Sequence, residues 1–146
     1  MNLFTKALVF AAHAHDGQLS DDGTPYILHP IAVAEMVMAK HGEEAAAVAL
    51  LHDTVEDTDV SVQWVTGVFG ERIGDAVRCI THTPGEPYMD YLERVATNHL
   101  ALVVKLMDVY HNHFIRPPVA DPKRRARLDA KYPAAIDFLE GRLSSN

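Results

Sequence analysis

A histidine and an aspartate stand side by side at His52-Asp53, at the end of the apolar run ALL, with Glu56, Asp57 and Asp59 close behind. On a helix Asp53, Glu56 and Asp57 fall at i, i+3 and i+4 and share a face, and His52 reaches Glu56 at i+4. Burying that face unpaired would cost several kcal/mol. A divalent cation compensates directly, because neutral imidazole and carboxylate oxygen suit Zn, Mn, Fe and similar ions. An isolated doublet of this kind reads as a solvated helix end, so the case depends on distant partners.

Two such partners exist. His29 stands at a helix start between PYIL and Pro30, where a rigid backbone can hold an imidazole still. Asp108 lies inside the apolar stretch VVKLMDVYHN, with Lys105 at i−3 and Asn112 at i+4. His29, His52, Asp53 and Asp108 together make a set of N and O donors that leaves positions open for water and substrate. Lys105, one turn before Asp108 on the same face, is placed to contact a phosphate.

The elements that must position these residues read as helical almost throughout. Leu3, Ala7, Leu8, Phe10, Ala11 and Ala14 give residues 2–15 helical spacing. DGQLSDDGTP breaks that helix, ILHPIAVAEMVMAKHG restarts one with Pro30 in its first turn, and Gly42 closes it. EEAAAVALLHDTVED is apolar nearly all round and belongs at the centre. Ser61 is an N-cap for VQWVTGVFG, ERIGDAVRCITH follows, and two helices are expected at about 88–98 and 100–115. The last helix, from Pro122, contains Pro133, where it is expected to kink or split. Strand signals are nearly absent, which predicts one all-α bundle of six or seven helices spanning 1–146 as a single domain.

Composition sets limits on function. A formal charge of −7 opposes binding to nucleic acid or an anionic membrane, so a phosphate-bearing ligand must be held locally by a metal or a few basic side chains. The lone Cys79 cannot form an intrachain disulfide and anchors no nucleophile arrangement. The N-terminal apolar run ALVFAA is too short for a signal-peptide core, and no stretch is long enough to span a bilayer. A cytoplasmic protein is expected.

The pattern HDGQ…GTPYILHPIAVAEM…ALLHDTVEDT…FGERIGDAV…IT…VKLMDVYHN resembles the HD superfamily of metal-dependent phosphohydrolases. Within it, the chain is most similar to the (p)ppGpp hydrolase domain of the RelA/SpoT group and its small stand-alone relatives. The resemblance runs from about residue 5 to 115 and implies an all-α fold. It implies Mn²⁺ bound by His29, His52, Asp53 and Asp108, with Glu56 and Asp57 acting on the attacking water. A carboxylate one turn beyond the ligands can orient that water or take its proton. The implied reaction removes the 3′-pyrophosphate of ppGpp or pppGpp to give GDP or GTP. The chain shows no obvious room for a synthetase domain, so a stand-alone hydrolase that only degrades the alarmone is expected.

One loop departs from the pattern. Relatives of this kind carry Arg-Lys between the GQ and GTPYILHP elements, whereas this chain has Ser20-Asp21. Carboxylates there can accept from the N–H edge of guanine, or the loop can be a solvated Asx-type turn. Ser20, Lys105 and Asn112 are carried forward as substrate contacts. Tyr91 is too, although Tyr88, Tyr91 and Arg94 also suit helix packing. His82 replaces a lysine that commonly follows the threonine at Thr81. The remaining histidines suit surface or packing roles, with His15 of the AH…GQ pattern the first to test. Trp64, Phe69 and Ile73 read as core, and Lys123, Arg124, Arg125 and Arg127 as a solvated face or a lid.

Competing readings keep the metal site and change its use. The substrate can be another nucleotide or a phosphorylated cofactor such as NADPH, or the protein can be a nucleotide-binding regulator that has lost catalysis. The water-activating pair Glu56 and Asp57 speaks against the last.

Overall fold

The computed structural model describes residues 1–145. The helices are α1 (Leu3–Ala14), α2 (Leu28–Leu51), α3 (Thr54–Asp57), α4 (Val62–Phe69), α5 (Glu71–Ile80), α6 (Tyr88–Val95), α7 (His99–Tyr110) and α8 (Pro122–Ser144). A π turn, His111–Ile115, follows α7 directly. No strand occurs among the described residues; Leu19 and Pro25 make one isolated antiparallel bridge that pins the loop between α1 and α2.

The middle of the bundle is the second half of α2. Residues 45–51, Ala-Ala-Ala-Val-Ala-Leu-Leu, are completely buried, as a helix apolar on every side requires. Burying Leu50 and Leu51 contributes roughly 1.5–3 kcal/mol each. Small alanines let α1 and α7 close on either side, and α8 packs outside α7. Gly42 breaks α2 where the sequence places a helix end: at φ 86° and ψ −175° its backbone is non-helical, a conformation that glycine reaches without Cβ strain. The two halves joined at this kink carry His29 at the start of the first and deliver His52 just past the end of the second.

Capping follows the sequence. Ser61 accepts from Trp64 N at 3.1 Å to start α4, and Asn98 accepts from Ala101 N at 3.0 Å to start α7. Asp121 caps α8 with Pro122 in its first turn. The α4–α5 corner needs Gly74: a Cβ there would lie 2.1 Å from Thr66 Oγ1.

Several expectations change. α8 runs through Pro133 as one helix. Trp64 is not core; it is about half exposed and stacks on Phe10 with ring centroids 4.6 Å apart. His15 and His111, expected at the surface or as packing, are buried. Arg94 serves packing: its guanidinium donates to the carbonyls of Arg78, Cys79 and Thr81, closing the end of α5, and pairs with Glu86 at 2.6 Å. Among the described residues no helix is long and apolar enough to cross a membrane.

Candidate metal centre and its cleft

The helix that carries the His-Asp doublet stops where the sequence reading continues it. After Leu51 the chain leaves α2, and Asp53 takes φ −100° and ψ −2°, in the sparsely used region between helix and strand. Thr54 Oγ1 donates to Leu51 O at 2.8 Å, satisfying a carbonyl that the break exposes. The single turn α3 then restarts, with Glu56 and Asp57 on it. This step turns Asp53 toward the bundle interior while its two acidic followers stay at the rim.

Four donors converge there. His29, His52, Asp53 and Asp108 each offer one ligand atom, all within 4.8 Å of one another. Asp108 Oδ1 lies 2.7 Å from His29 Nε2 and 3.2 Å from His52 Nε2, and Asp53 Oδ2 lies 2.9 Å from His52 Nε2. Two ligands about 2.1 Å from one ion at right angles are separated by about 3 Å, so these spacings fit the edges of a single coordination sphere.

The surroundings hold each ring in place. His52 Nδ1–H donates to Ala49 O at 2.5 Å, which leaves Nε2 facing the carboxylates. His29 Nδ1 meets His111 Nδ1 at 2.8 Å, and Tyr26 donates its hydroxyl to Asp53. Asn112 Nδ2 donates to Asp108 Oδ1 at 3.4 Å, and Lys105 Nζ to Asp108 Oδ2 at 2.9 Å.

The charges agree with a cation site. Burial would raise the Asp108 carboxyl, but Lys105 and His52 hold it well below the usual range. Burial works against an imidazolium at His52, yet Asp53 and Asp108 outweigh it and push its pKa well up. The pocket therefore favours added positive charge even at the cost of desolvation. A divalent ion supplies more of it, and the mixed imidazole and carboxylate set accepts one.

Glu56 and Asp57 behave differently from Asp53 and Asp108. Partial desolvation raises both carboxyls, opposed at Glu56 by the His82 backbone N–H it accepts and reinforced at Asp57 by the charge of Asp53. Asp57 is approached by Gln18 Nε2 at 3.5 Å, and Gln18 Oε1 in turn accepts from His15 Nδ1 at 2.8 Å. His15 thus joins the site through Gln18. The i+4 approach of His52 to Glu56 expected on a continuous helix gives way to the His82 contact.

Beside His29 a cleft of about 970 Å³ opens between the 18–26 loop, the π turn and the start of α8. Ser20 and Asn112 both line it. Lys105 is tied to Asp108, away from the cleft wall. Tyr91 departs from the expectation: it is buried, its hydroxyl donates to Ile80 O at 2.6 Å, and its ring lies 5.3 Å from Lys105 Nζ. It supports the lysine instead of facing the cleft. In the loop, Asp22 accepts from Thr24 N at 3.1 Å and Thr24 Oγ1 at 2.7 Å, the Asx turn expected there. Asp21 pairs with Arg124 at 3.0 Å.

Tyr26, His111 and Arg116 escaped the sequence reading. Tyr26 sits three residues before His29, and His111 three after Asp108, so helical spacing offered a signal for each. Arg116 is assigned past a helix end by the following Pro117-Pro118. The helical run does end at Ile115, through a π turn, and Arg116, extended at φ −66° and ψ 148°, donates its N–H to His111 O at 2.9 Å.

Comparison with known proteins agrees with this geometry. The family model for the HD domain matches residues 7–99. The chain belongs to the HD domain family. Among curated HD relatives, it is 33% identical over 135 residues to a probable guanosine-3′,5′-bis(diphosphate) 3′-pyrophosphohydrolase of Synechocystis sp., covering 84% of this chain and 18% of the relative. It is 35% identical over 122 residues to the GTP pyrophosphokinase rsh of Brucella abortus, covering 75% of this chain and 16% of that protein. The chain thus spans less than a fifth of the length of these relatives. A solved structure described as a metazoan ortholog of SpoT that hydrolyzes ppGpp and plays a role in starvation responses superposes with a TM-score of 0.80 at 27% identity. That match covers 97% of this chain and 88% of the other.

Proposed function

We propose that this HD domain is a metal-dependent hydrolase that removes the 3′-pyrophosphate of ppGpp or pppGpp, giving GDP or GTP. The observation that carries it is the convergence of four N and O donor atoms within 4.8 Å beside an open cleft. The names carried by the Synechocystis relative and the metazoan structure support the substrate. His29, His52, Asp53 and Asp108 would hold the ion, for which Mn²⁺ is proposed. Bound there, the ion would acidify water and offset charge on the phosphoryl oxygens.

The chain's own groups do the rest. Glu56 and Asp57, with carboxyls raised by partial desolvation, are proposed to orient the attacking water and take its proton. The new bond joins the water oxygen to the 3′ α-phosphorus. The bond to the 3′-oxygen breaks, and that oxygen leaves as a hydroxyl on acquiring a proton. Asn112 and Ser20 line the cleft that takes the nucleotide, and the cytoplasm is the proposed location. A second reading, another phosphorylated nucleotide such as NADPH, is favoured by the loop: its carboxylates are engaged by Thr24 and Arg124, and it carries no basic residue to stack on guanine.

A Mn²⁺-supplemented turnover assay against ppGpp, with GTP, 3′-nucleotides and NADPH beside it, separates the two. Release of pyrophosphate and GDP from ppGpp alone supports the first reading. Turnover of NADPH with ppGpp untouched replaces it with the second.

A further inference from the structure

Arg116 is half-buried at the cleft wall in a protein of net charge −7, yet no carboxylate lies within ion-pair distance of it among the described residues. Arg72, Arg78, Arg94, Arg124 and Arg142 each have such a partner, and the two others without one, Arg125 and Arg127, are exposed. Arg116 is instead held by neutral acceptors: Nη1 donates to Asn112 Oδ1 at 2.9 Å and Nη2 to Ser20 Oγ at 3.1 Å. Its guanidinium carbon lies 5.8 Å from the centre of the Tyr26 ring. A guanidinium has five N–H donors, so three remain for a ligand.

These contacts fix its position. The π turn hands the chain from Asp108 through Asn112 to Arg116, and Asn112 bonds Asp108 on one side and Arg116 on the other. A partly desolvated guanidinium with no ion-pair partner and a planar fork recognises phosphate by paired hydrogen bonds. Asp21 pairs with Arg124, and Asp22, its carboxyl lowered chiefly by its bonds to Thr24 and slightly by the nearby charge of Arg116, forms no ion pair with the guanidinium. The loop thus offers Arg116 a serine hydroxyl as its direct contact.

We infer that Arg116 is a specificity-determining residue that binds a phosphate of the nucleotide other than the one attacked, a role that rests on the hydrolase reading above. That phosphate belongs either to the leaving pyrophosphate or to the 5′ end that remains on the product. Both are phosphate oxyanions, and the experiment distinguishes them.

The test is calorimetric binding of inorganic pyrophosphate and of GDP to the Mn²⁺-loaded protein. Wild type is compared with Arg116→Gln, which removes the charge, and Arg116→Lys, which restores a point charge. Arg116→Gln is expected to weaken one of the two anions by about tenfold or more, with Arg116→Lys recovering part of the loss. Loss confined to pyrophosphate assigns the leaving half, and loss confined to GDP assigns the 5′ end. Unchanged affinity for both, or no binding of either to wild type, overturns the inference. So does an equal loss of Mn²⁺ affinity or thermal stability in Arg116→Gln, which would mark a purely structural role. Wild-type ppGpp turnover is measured alongside. Absent turnover with Arg116-dependent anion binding sinks the hydrolase reading alone, and turnover with Arg116-independent binding sinks only the inference.

Discussion

His29 and His111 face each other through their Nδ1 atoms at 2.8 Å, in the interior of the bundle. Only one proton fits between two neutral rings. If His29 is to present a bare Nε2 to a metal, its Nδ1 must carry that proton and His111 must accept it. Burial, the largest cause, lowers the His111 pKa, which keeps it a neutral acceptor at physiological pH. His111→Ala is therefore expected to weaken metal binding by roughly 10–100-fold, the usual consequence of losing an orienting partner. Metal titration of the variant checks this, and wild-type affinity would remove His111 from the site.

Asp53→Ala removes one of the four proposed ligands. Tight metal binding should be lost together with any metal-induced rise in melting temperature. Saturating metal at about 100 times its Kd stabilises the folded state by about 2.7 kcal/mol. Scanning calorimetry with and without a chelator measures that increment in wild type and should find none in Asp53→Ala. An undiminished increment would place the ion elsewhere.

Glu56 joins activity and stability with opposite signs. Its carboxyl is raised in the folded state by desolvation, so a rate that needs the carboxylate falls as pH drops through a value above the ordinary glutamate range. The same shift means the folded state binds more protons than the unfolded one between the two pKa values. Stability contributed by this group thus declines as pH rises through that window. Glu56→Gln should keep metal, lose on the order of 10²-fold in kcat and leave the metal-free protein at least as stable at neutral pH. Normal turnover in the variant would end the water-activating role.

Gly74 tests the packing that supports α5. Gly74→Ala places a methyl 2.1 Å from Thr66 Oγ1, and the over-packing should cost about 1–3 kcal/mol. Denaturant unfolding reads the loss, and pairing the change with Thr66→Ala should recover part of it. Full stability in Gly74→Ala would show that α4 and α5 part easily.

Much of this was legible in the chain. Helical periodicity and turn residues give the all-α class, and the candidate donors His29, His52, Asp53 and Asp108 stand out as polar residues in or beside apolar runs. Periodicity assumes unbroken helices, however, and the site is built where helices deviate. Asp53 reaches the cluster because α2 stops at Leu51, and Arg116 reaches the cleft because α7 runs into a π turn. Tyr91 reads as a cleft residue because spacing cannot tell an inward face from a ligand-bearing one. Trp64 reads as core because an aromatic ring can be satisfied by stacking on Phe10 while remaining half exposed.

The most direct measurement is the fate of oxygen-18 water during turnover of ppGpp by the Mn²⁺-loaded protein. Water directed by Glu56 and Asp57 onto the 3′ α-phosphorus predicts label in the released pyrophosphate and none in GDP. Label in the nucleoside product, or release of inorganic phosphate in place of pyrophosphate, would contradict attack at that phosphorus.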